Sequence, residues 1–136
     1  DGFLRKAIDT YLQGFYSDWR DAYPGINALT LMECSDPPDD RKDEILPVVN
    51  FAVKRRIASK DPDYWDYATL LELAVLSHDK KKADESLPIA LSSVRENWET
   101  ETTARNIRLI RESREGRGSD CGWERNIEES LEAATK

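Results

Sequence analysis

The spacing of apolar residues is the feature that most constrains this sequence, because they recur every three or four positions along most of the chain. In the first segment they are Leu4, Ala7, Ile8, Tyr11, Leu12 and Phe15. This period places apolar side chains on one face of an α-helix, which can then pack against other helices. The alternation of β-branched and polar residues that marks a strand is missing between the turn signals. The pattern therefore predicts an all-α fold.

Proline, glycine and short polar runs divide this pattern into six or seven predicted helices. Their approximate ranges are 3–17, 24–34, 39–59, 63–77, 80–94, 100–115 and 123–134. Helices of this length joined by short loops form antiparallel hairpins. Pro47 and Pro88 fall inside two of the predicted helices, where proline lacks the backbone N–H that a helix uses. For Pro47 we expect either a kink or a true helix start at Leu46.

A recurring order of small, large and small residues indicates stacked hairpins of the tetratricopeptide kind. It occurs in Ala83, Leu87 and Ala90 and again in Ala7, Tyr11 and Gly14. The small residues let neighbouring helices approach, and the large residue fills the groove between them. We predict a tetratricopeptide-like right-handed array over residues 1–115. Residues 116–136 are predicted to form a flexible break followed by an acidic C-terminal helix.

Charge and composition argue against several classes of function. The chain has 20 Lys and Arg residues against 27 Asp and Glu, a net charge of −7, which disfavours non-specific binding of nucleic acid. No run approaches the ~18 consecutive apolar residues of a transmembrane helix, so we expect no membrane partner. Cys34, Cys121 and a single histidine cannot form a Cys/His zinc site, and the sparse use of cysteine fits a cytoplasmic setting.

Catalysis finds no support in the sequence. His78, the one histidine, lies in a predicted turn without a serine or cysteine nucleophile nearby, and no pair of carboxylates has a defensible arrangement for acid–base work. We therefore predict that the chain is not an enzyme and uses neither a cofactor nor a metal. Because it begins at Asp1 rather than Met, we expect a piece of a larger protein.

Three motifs carry a resemblance to a known family. They are residues 23–31 (YPGINALTL), residues 63–69 (DYWDYAT), and Trp98 followed by residues 106–110 (NIRLI). Their order and separation resemble the TRAFs-binding region in the middle of the apoptosis signal-regulating kinases, over about residues 3–115. The loop at 33–40, Pro24 and Pro47 depart from the kinase version and look more like its bacterial relatives. The motifs of a kinase catalytic domain are missing from the sequence.

The resemblance implies a tetratricopeptide-like helical array that works by binding. In the animal kinases this region is regulatory and is associated with adaptor recruitment and with presenting a neighbouring domain. In bacteria a role in sensing a nucleotide-derived ligand has been suggested. Two hypotheses follow: a signalling module that binds a protein segment or an adjacent domain of the same polypeptide, and a sensor of a small anionic, nucleotide-like ligand.

Two groups of candidate binding residues surround the first and third motifs. Arg20, Tyr23 and Asn27 lie near the start of a predicted helix, whose N–H groups could hold an anion; alternatively, Gly25 only allows close helix contact and Asn27 bonds a neighbouring loop. Arg105 and Asn106 could grip a carboxylate or phosphate in the groove. The simpler alternative for Arg105 is a solvated ladder of charged pairs along its own helix.

The remaining candidates are aromatic or acidic. Trp65 and Trp98 could be anchors for a partner, because exposed tryptophans contribute strongly to binding. Alternatively, Trp65 packs between hairpins. Asp66 could contact a partner or only pair with a nearby arginine.

Overall fold

The computed structural model describes residues 2–59 and 61–135, which form helices joined by short connections and contain no strand. The helices are α1 (Gly2–Ser17), α2 (Ala22–Cys34), α3 (Lys42–Ile57), α4 (Tyr64–Leu76), α5 (Lys80–Ser92), α6 (Asn97–Gly116) and α7 (Gly122–Thr135). The all-α prediction and the predicted number of helices are therefore confirmed.

Helices adjacent in sequence pack against each other in pairs, and alternate helices form a central layer. The most extensive contacts join α1 to α2, α4 to α5 and α6 to α7, while α3 packs on α2 and α4. Helices α2, α4 and α6 also contact one another directly. The chain is thus an array of neighbouring helices around this three-helix layer. Its right-handed, tetratricopeptide-like form stays a prediction.

One cluster of buried apolar side chains extends through the array. It includes Phe15 of α1, Leu29 of α2, Leu71 of α4, and Ile127 and Leu131 of α7. Because the last helix contributes to the same core as the first, α7 is packed against the rest of the described chain. The predicted boundary at residue 115 remains a prediction, and deletion of the last helix would test it.

Gly25 permits a close approach of α2 to its neighbours. A Cβ atom placed on Gly25 would lie 2.6 Å from Cγ2 of Val49 in α3 and 3.1 Å from a ring carbon of Phe15 in α1. Real Cβ atoms do not tolerate the shorter of these distances, so any larger residue here forces the helices apart. The predicted packing role of this glycine is confirmed.

Two predicted helix starts are wrong. Helix α3 begins at Lys42, neither near residue 39 nor at Leu46, and Pro47 lies inside it. Because proline has no backbone N–H, the carbonyl of Asp43, four residues earlier, lacks its helical hydrogen bond. Asp43 is exposed in the first turn, where water can bond this carbonyl. Helix α6 begins at Asn97 rather than near residue 100. Its start is fixed by Glu99, whose carboxylate accepts backbone N–H groups of Arg95 and Glu96.

Within the two described ranges, no helix combines the length and the apolar character needed to cross a bilayer.

Candidate functional site

A cleft of about 760 Å³ opens where α2, α4 and α6 begin. Its walls come from the connections before α2 and α4, from the first halves of α2 and α6, and from α4 as far as Glu72, with Arg56 of α3 at one side. Seven of the eight residues proposed from the sequence line it: Arg20, Tyr23, Asn27, Trp65, Asp66, Trp98 and Asn106. We call this site the tryptophan cleft.

Arg105 is the candidate that the structure places outside the tryptophan cleft. The residues of α6 that line the cleft are Trp98, Thr102 and Asn106, which are four residues apart and share one face of the helix. Arg105 is exposed and lies one position, or about 100°, away from that face. Adjacency in sequence to Asn106 therefore does not bring its guanidinium into the site.

Aromatic rings form one wall of the cleft. The ring centroids of Trp65 and Trp98 lie 5.6 Å apart with the planes tilted by 41°. Those of Tyr64 and Trp65 lie 5.1 Å apart in a T-shaped arrangement. The buried Tyr64 hydroxyl is hydrogen-bonded to Thr103 over 2.7 Å, which links α4 to α6. Trp98 remains 56% exposed. Trp65 thus packs between helices, as the simpler alternative expected, and also lines the cleft.

The start of α4 is held by paired carboxylates. Asp63 caps the helix by accepting the backbone N–H of Asp66, and the Asp66 side chain accepts the backbone N–H of Asp63 over 2.9 Å. Burial and the neighbouring charge of Asp63 raise the pKa of Asp66, and Arg56 lies 3.5 Å from it. The expected arginine partner of Asp66 is therefore present.

The start of α2 already holds a carboxylate where the sequence suggested an anion site. Asp21 caps the helix by accepting the backbone N–H of Tyr23 over 3.1 Å. Arg20 donates to Asp18 over 3.0 Å, and Asn27 donates to the carbonyl of Tyr23 in its own helix rather than to a neighbouring loop. The groups proposed to bind an external anion are thus engaged within the chain.

Glu72 is the member of the site that sequence reasoning missed. It lines the cleft although its side chain is only 5% exposed, and the Asn106 amide donates to its Oε1 over 3.3 Å. No lysine or arginine of the described residues forms an ion pair with it, and burial raises its pKa to about 7. The sequence feature that could have indicated Glu72 is its place as the one acidic residue in the apolar run LLELAVL, residues 70–76.

The lining of the cleft is acidic. It contains five carboxyl groups, those of Asp18, Asp21, Asp63, Asp66 and Glu72, and two guanidinium groups, those of Arg20 and Arg56. Three helix starts add about half a positive charge each, which does not offset the excess of three carboxyl groups. In the described ranges, no group of three His, Cys, Asp or Glu side chains could hold a metal ion.

Arginines of α6 form ion pairs at the end of the array opposite the tryptophan cleft. Arg111 donates to Glu128 of α7 over 2.6 Å and to Glu115 of its own helix over 2.7 Å, and Arg108 donates to Glu128 over 2.9 Å. Among the described residues, the charged pairs expected along α6 are therefore present in Arg111 and Glu115 alone. The other partners of these arginines lie on the neighbouring helix.

A second set of charges joins α2, α3, α6 and α7 at that end. Glu33 accepts from Lys42 over 3.0 Å, from Arg117 over 2.6 Å and from Arg114 over 3.4 Å. Arg114, almost fully buried, also pairs with Glu124 over 3.3 Å. We call these five residues the Glu33 cluster. Burial opposes ionisation of Glu33, but the bond from Lys42 and the charge of Arg114 outweigh it and lower its pKa.

Comparison with known proteins identifies the family. A family model described as the MAP3K TRAFs-binding domain matches residues 1–129. The chain is also 31% identical over 111 residues to mitogen-activated protein kinase kinase kinase nsy-1 of Caenorhabditis elegans, covering 79% of this chain and 7% of that protein. It thus spans a small part of this relative, which is an animal protein and gives no support to the predicted bacterial origin. No solved structure matches the chain significantly.

These findings confirm the resemblance inferred from the three sequence motifs. Because the family model covers nearly the whole chain, the protein belongs to the family of MAP3K TRAFs-binding domains.

Proposed function

We propose that this domain is a non-catalytic regulatory module of a cytoplasmic signalling protein, and that it binds a segment of protein in the tryptophan cleft. One observation carries the proposal: the cleft is open and is walled by tryptophans, with Trp98 56% exposed and Tyr23 67% exposed. Large aromatic side chains in a concave site contribute more binding energy than other residue types. The family description, a domain that binds TRAFs, supports a protein as the occupant.

The occupant can belong to another protein or to the same polypeptide. The aligned kinase of Caenorhabditis elegans is far longer than this domain, so most of the chain in such a protein lies outside the helical array. A segment tethered nearby has a high effective concentration, which strengthens binding without any new contact. An adaptor protein and a neighbouring domain are therefore both proposed as sources of the segment.

The sensor of a small anionic, nucleotide-like ligand is the second candidate function. The volume of the cleft, about 760 Å³, supports it, because small-molecule sites span about 300–1,000 Å³. Its charges oppose it, since an anion needs cationic partners and both guanidinium groups of the lining already contact carboxylates. We therefore rank the protein segment first.

Selection of peptides from a random library of 12-residue sequences tests the proposal. The domain should enrich a set of related peptides, and Trp98→Ala should weaken their binding at least about tenfold because it removes an anchor. Trp19→Ala is the matched control: this tryptophan is 64% exposed but does not line the cleft, so the substitution should leave affinity unchanged.

The outcomes separate the two functions. Melting temperatures of both variants establish that each is folded before affinities are compared. If no peptide is enriched, or if Trp19→Ala and Trp98→Ala weaken binding equally, the tryptophan cleft is not a peptide site. An increase of melting temperature with ATP, AMP or a cyclic dinucleotide, lost in Trp98→Ala, would favour the sensor instead.

A further inference from the structure

We infer that the segment bound in the tryptophan cleft carries an arginine whose side chain passes Trp65 and Trp98 and pairs with Glu72. This inference rests on the proposed function and adds the chemical class of the occupant. The pairing of buried charges, the depth of Glu72 below the aromatic wall and the charge of the lining support it.

Glu72 is the exception among the buried glutamates of the described residues. The other four pair with basic side chains: Glu33 with Lys42, Glu99 with Arg95, Glu124 with Arg114 and Glu128 with Arg111. Their N–O distances run from 2.6 to 3.3 Å. A buried carboxylate is costly unless a cation and hydrogen bonds compensate it. From the described residues, Glu72 receives a single hydrogen bond, that of Asn106.

The position of Glu72 suits a long basic side chain. Trp65, Thr69 and Glu72 all line the cleft, and their spacing of four and three residues places them on one face of α4. Seven residues of α-helix rise about 10 Å, so Glu72 lies about two turns below the wall formed by Trp65 and Trp98. An extended arginine can stack its planar guanidinium on an indole and still present N–H groups to a carboxylate.

The charge of the lining favours a cation over any other polar group. The lining holds five carboxyl groups and two guanidinium groups, and the positive ends of α2 and α4 are already capped by the carboxylates of Asp21 and Asp63. Since burial raises the pKa of Glu72 to about 7, little free energy is needed to ionise it at neutral pH when a cation arrives. Asp66, which lines the cleft nearer the start of α4, adds a second carboxylate that a guanidinium could approach.

Peptides from the selection described above provide the test. Each enriched peptide is resynthesised with its arginine replaced by citrulline, which keeps the shape of the side chain but removes the charge. Affinities are measured by isothermal titration calorimetry for the unmodified domain, for Glu72→Gln and for the control Glu101→Gln. Glu101 is exposed on α6 and lies outside the cleft, so its substitution removes the same formal charge elsewhere.

The expected results form a thermodynamic cycle. Citrulline should weaken binding to the unmodified domain at least about tenfold, in line with the strength of charge-assisted hydrogen bonds. Glu72→Gln should weaken the arginine peptide to a similar degree and leave the citrulline peptide nearly unchanged. Glu101→Gln should leave the tenfold preference for arginine intact.

Failure of this inference is distinguishable from failure of the proposed function. If peptides are enriched and depend on Trp98 but share no arginine, or if citrulline binds equally well, the inference is wrong and the peptide site stands. If no peptide is enriched, the proposed function itself fails. Should Glu72→Gln not fold, the comparison of arginine and citrulline on the unmodified domain still decides the question.

Discussion

The two ends of the layer formed by α2, α4 and α6 use buried charge in opposite ways. At the end where these helices finish, Glu33 is surrounded by Lys42, Arg114 and Arg117, and its pKa is lowered. In the tryptophan cleft, which opens at the end where they begin, Glu72 is also buried but pairs with no described cation, and its pKa is raised to about 7. The same residue type thus stabilises the fold at one end and opposes it at the other.

The difference follows from which elements cover each end. Helix α7 supplies Glu124 to the Glu33 cluster, and Arg114 also donates to the carbonyl of Leu76 at the end of α4. No described helix covers the opposite end, so the tryptophan cleft remains open there. Natural proteins keep costly groups at sites of function more often than elsewhere, which makes the open end the better candidate for binding.

The largest expected effect comes from deleting residues 116–136, because the deletion removes helix α7, which covers the end of the array that holds the Glu33 cluster. The deletion takes away Glu124 and Glu128, leaves Arg111 and Arg114 without these partners, and exposes core residues that contact Ile127 and Leu131. We expect a loss of more than about 5 kcal/mol, enough to unfold a domain of ordinary stability. Circular dichroism and urea denaturation would measure it.

The control for this deletion is a point substitution within the deleted segment. Arg125→Ala removes an exposed ion pair with Glu115 and should change the free energy of unfolding by less than about 1 kcal/mol. If the fragment 1–115 instead unfolds cooperatively at the midpoint of the full chain, the boundary predicted from sequence is a true domain boundary and α7 is dispensable.

The paired substitutions Glu33→Gln and Glu72→Gln should have opposite signs. Glu33→Gln leaves buried cations without their carboxylate and should cost about 3–5 kcal/mol. Glu72→Gln keeps an acceptor for Asn106 and removes a carboxyl whose ionisation is disfavoured, so at pH 8 it should stabilise the fold by about 2–3 kcal/mol. Urea denaturation of both variants at pH 8 measures this difference.

The dependence on pH distinguishes charge from packing in these two variants. The pKa of Glu72 in the folded state, about 7, exceeds its ordinary value of 4.5. The destabilisation of the fold by this carboxyl group is therefore absent below about pH 4.5 and complete above about pH 7. The gain from Glu72→Gln should therefore shrink at pH 5. The pKa of Glu33 is lowered, so its stabilising effect weakens as pH falls through the acidic range. Equal effects of either variant at pH 5 and 8 would contradict this account.

A smaller effect is expected from Gly25→Ala, which changes the shape of the open end without changing its charge. The new methyl group would lie 2.6 Å from Val49 and 3.1 Å from Phe15, so α2 must shift, at a cost of about 1–3 kcal/mol. Gly116→Ala is the control, because a Cβ there meets nothing within 4 Å. Thermal denaturation compares the two; equal melting temperatures would mean that α2 has room to move.

The helices were predictable from sequence, whereas the site was predictable only in part. Apolar periodicity reports which face of a helix is buried, and the motifs around Tyr23, Trp65 and Trp98 indicated where the cleft lies. Arg105 was misplaced because adjacency in sequence says nothing about the 100° turn between neighbouring residues. Glu72 was missed because its burial depends on how α4 packs against α2 and α6, which no single helix specifies.

The construction of the cleft from separate hairpins has a mechanical consequence. Its walls come from α2, α4 and α6, which belong to three successive hairpins, so any ligand that fills it spans all three at once. By thermodynamic linkage, a ligand that prefers one relative arrangement of these helices favours that arrangement, and a second partner that prefers the same arrangement changes the affinity for the ligand by the factor by which the ligand changes its own.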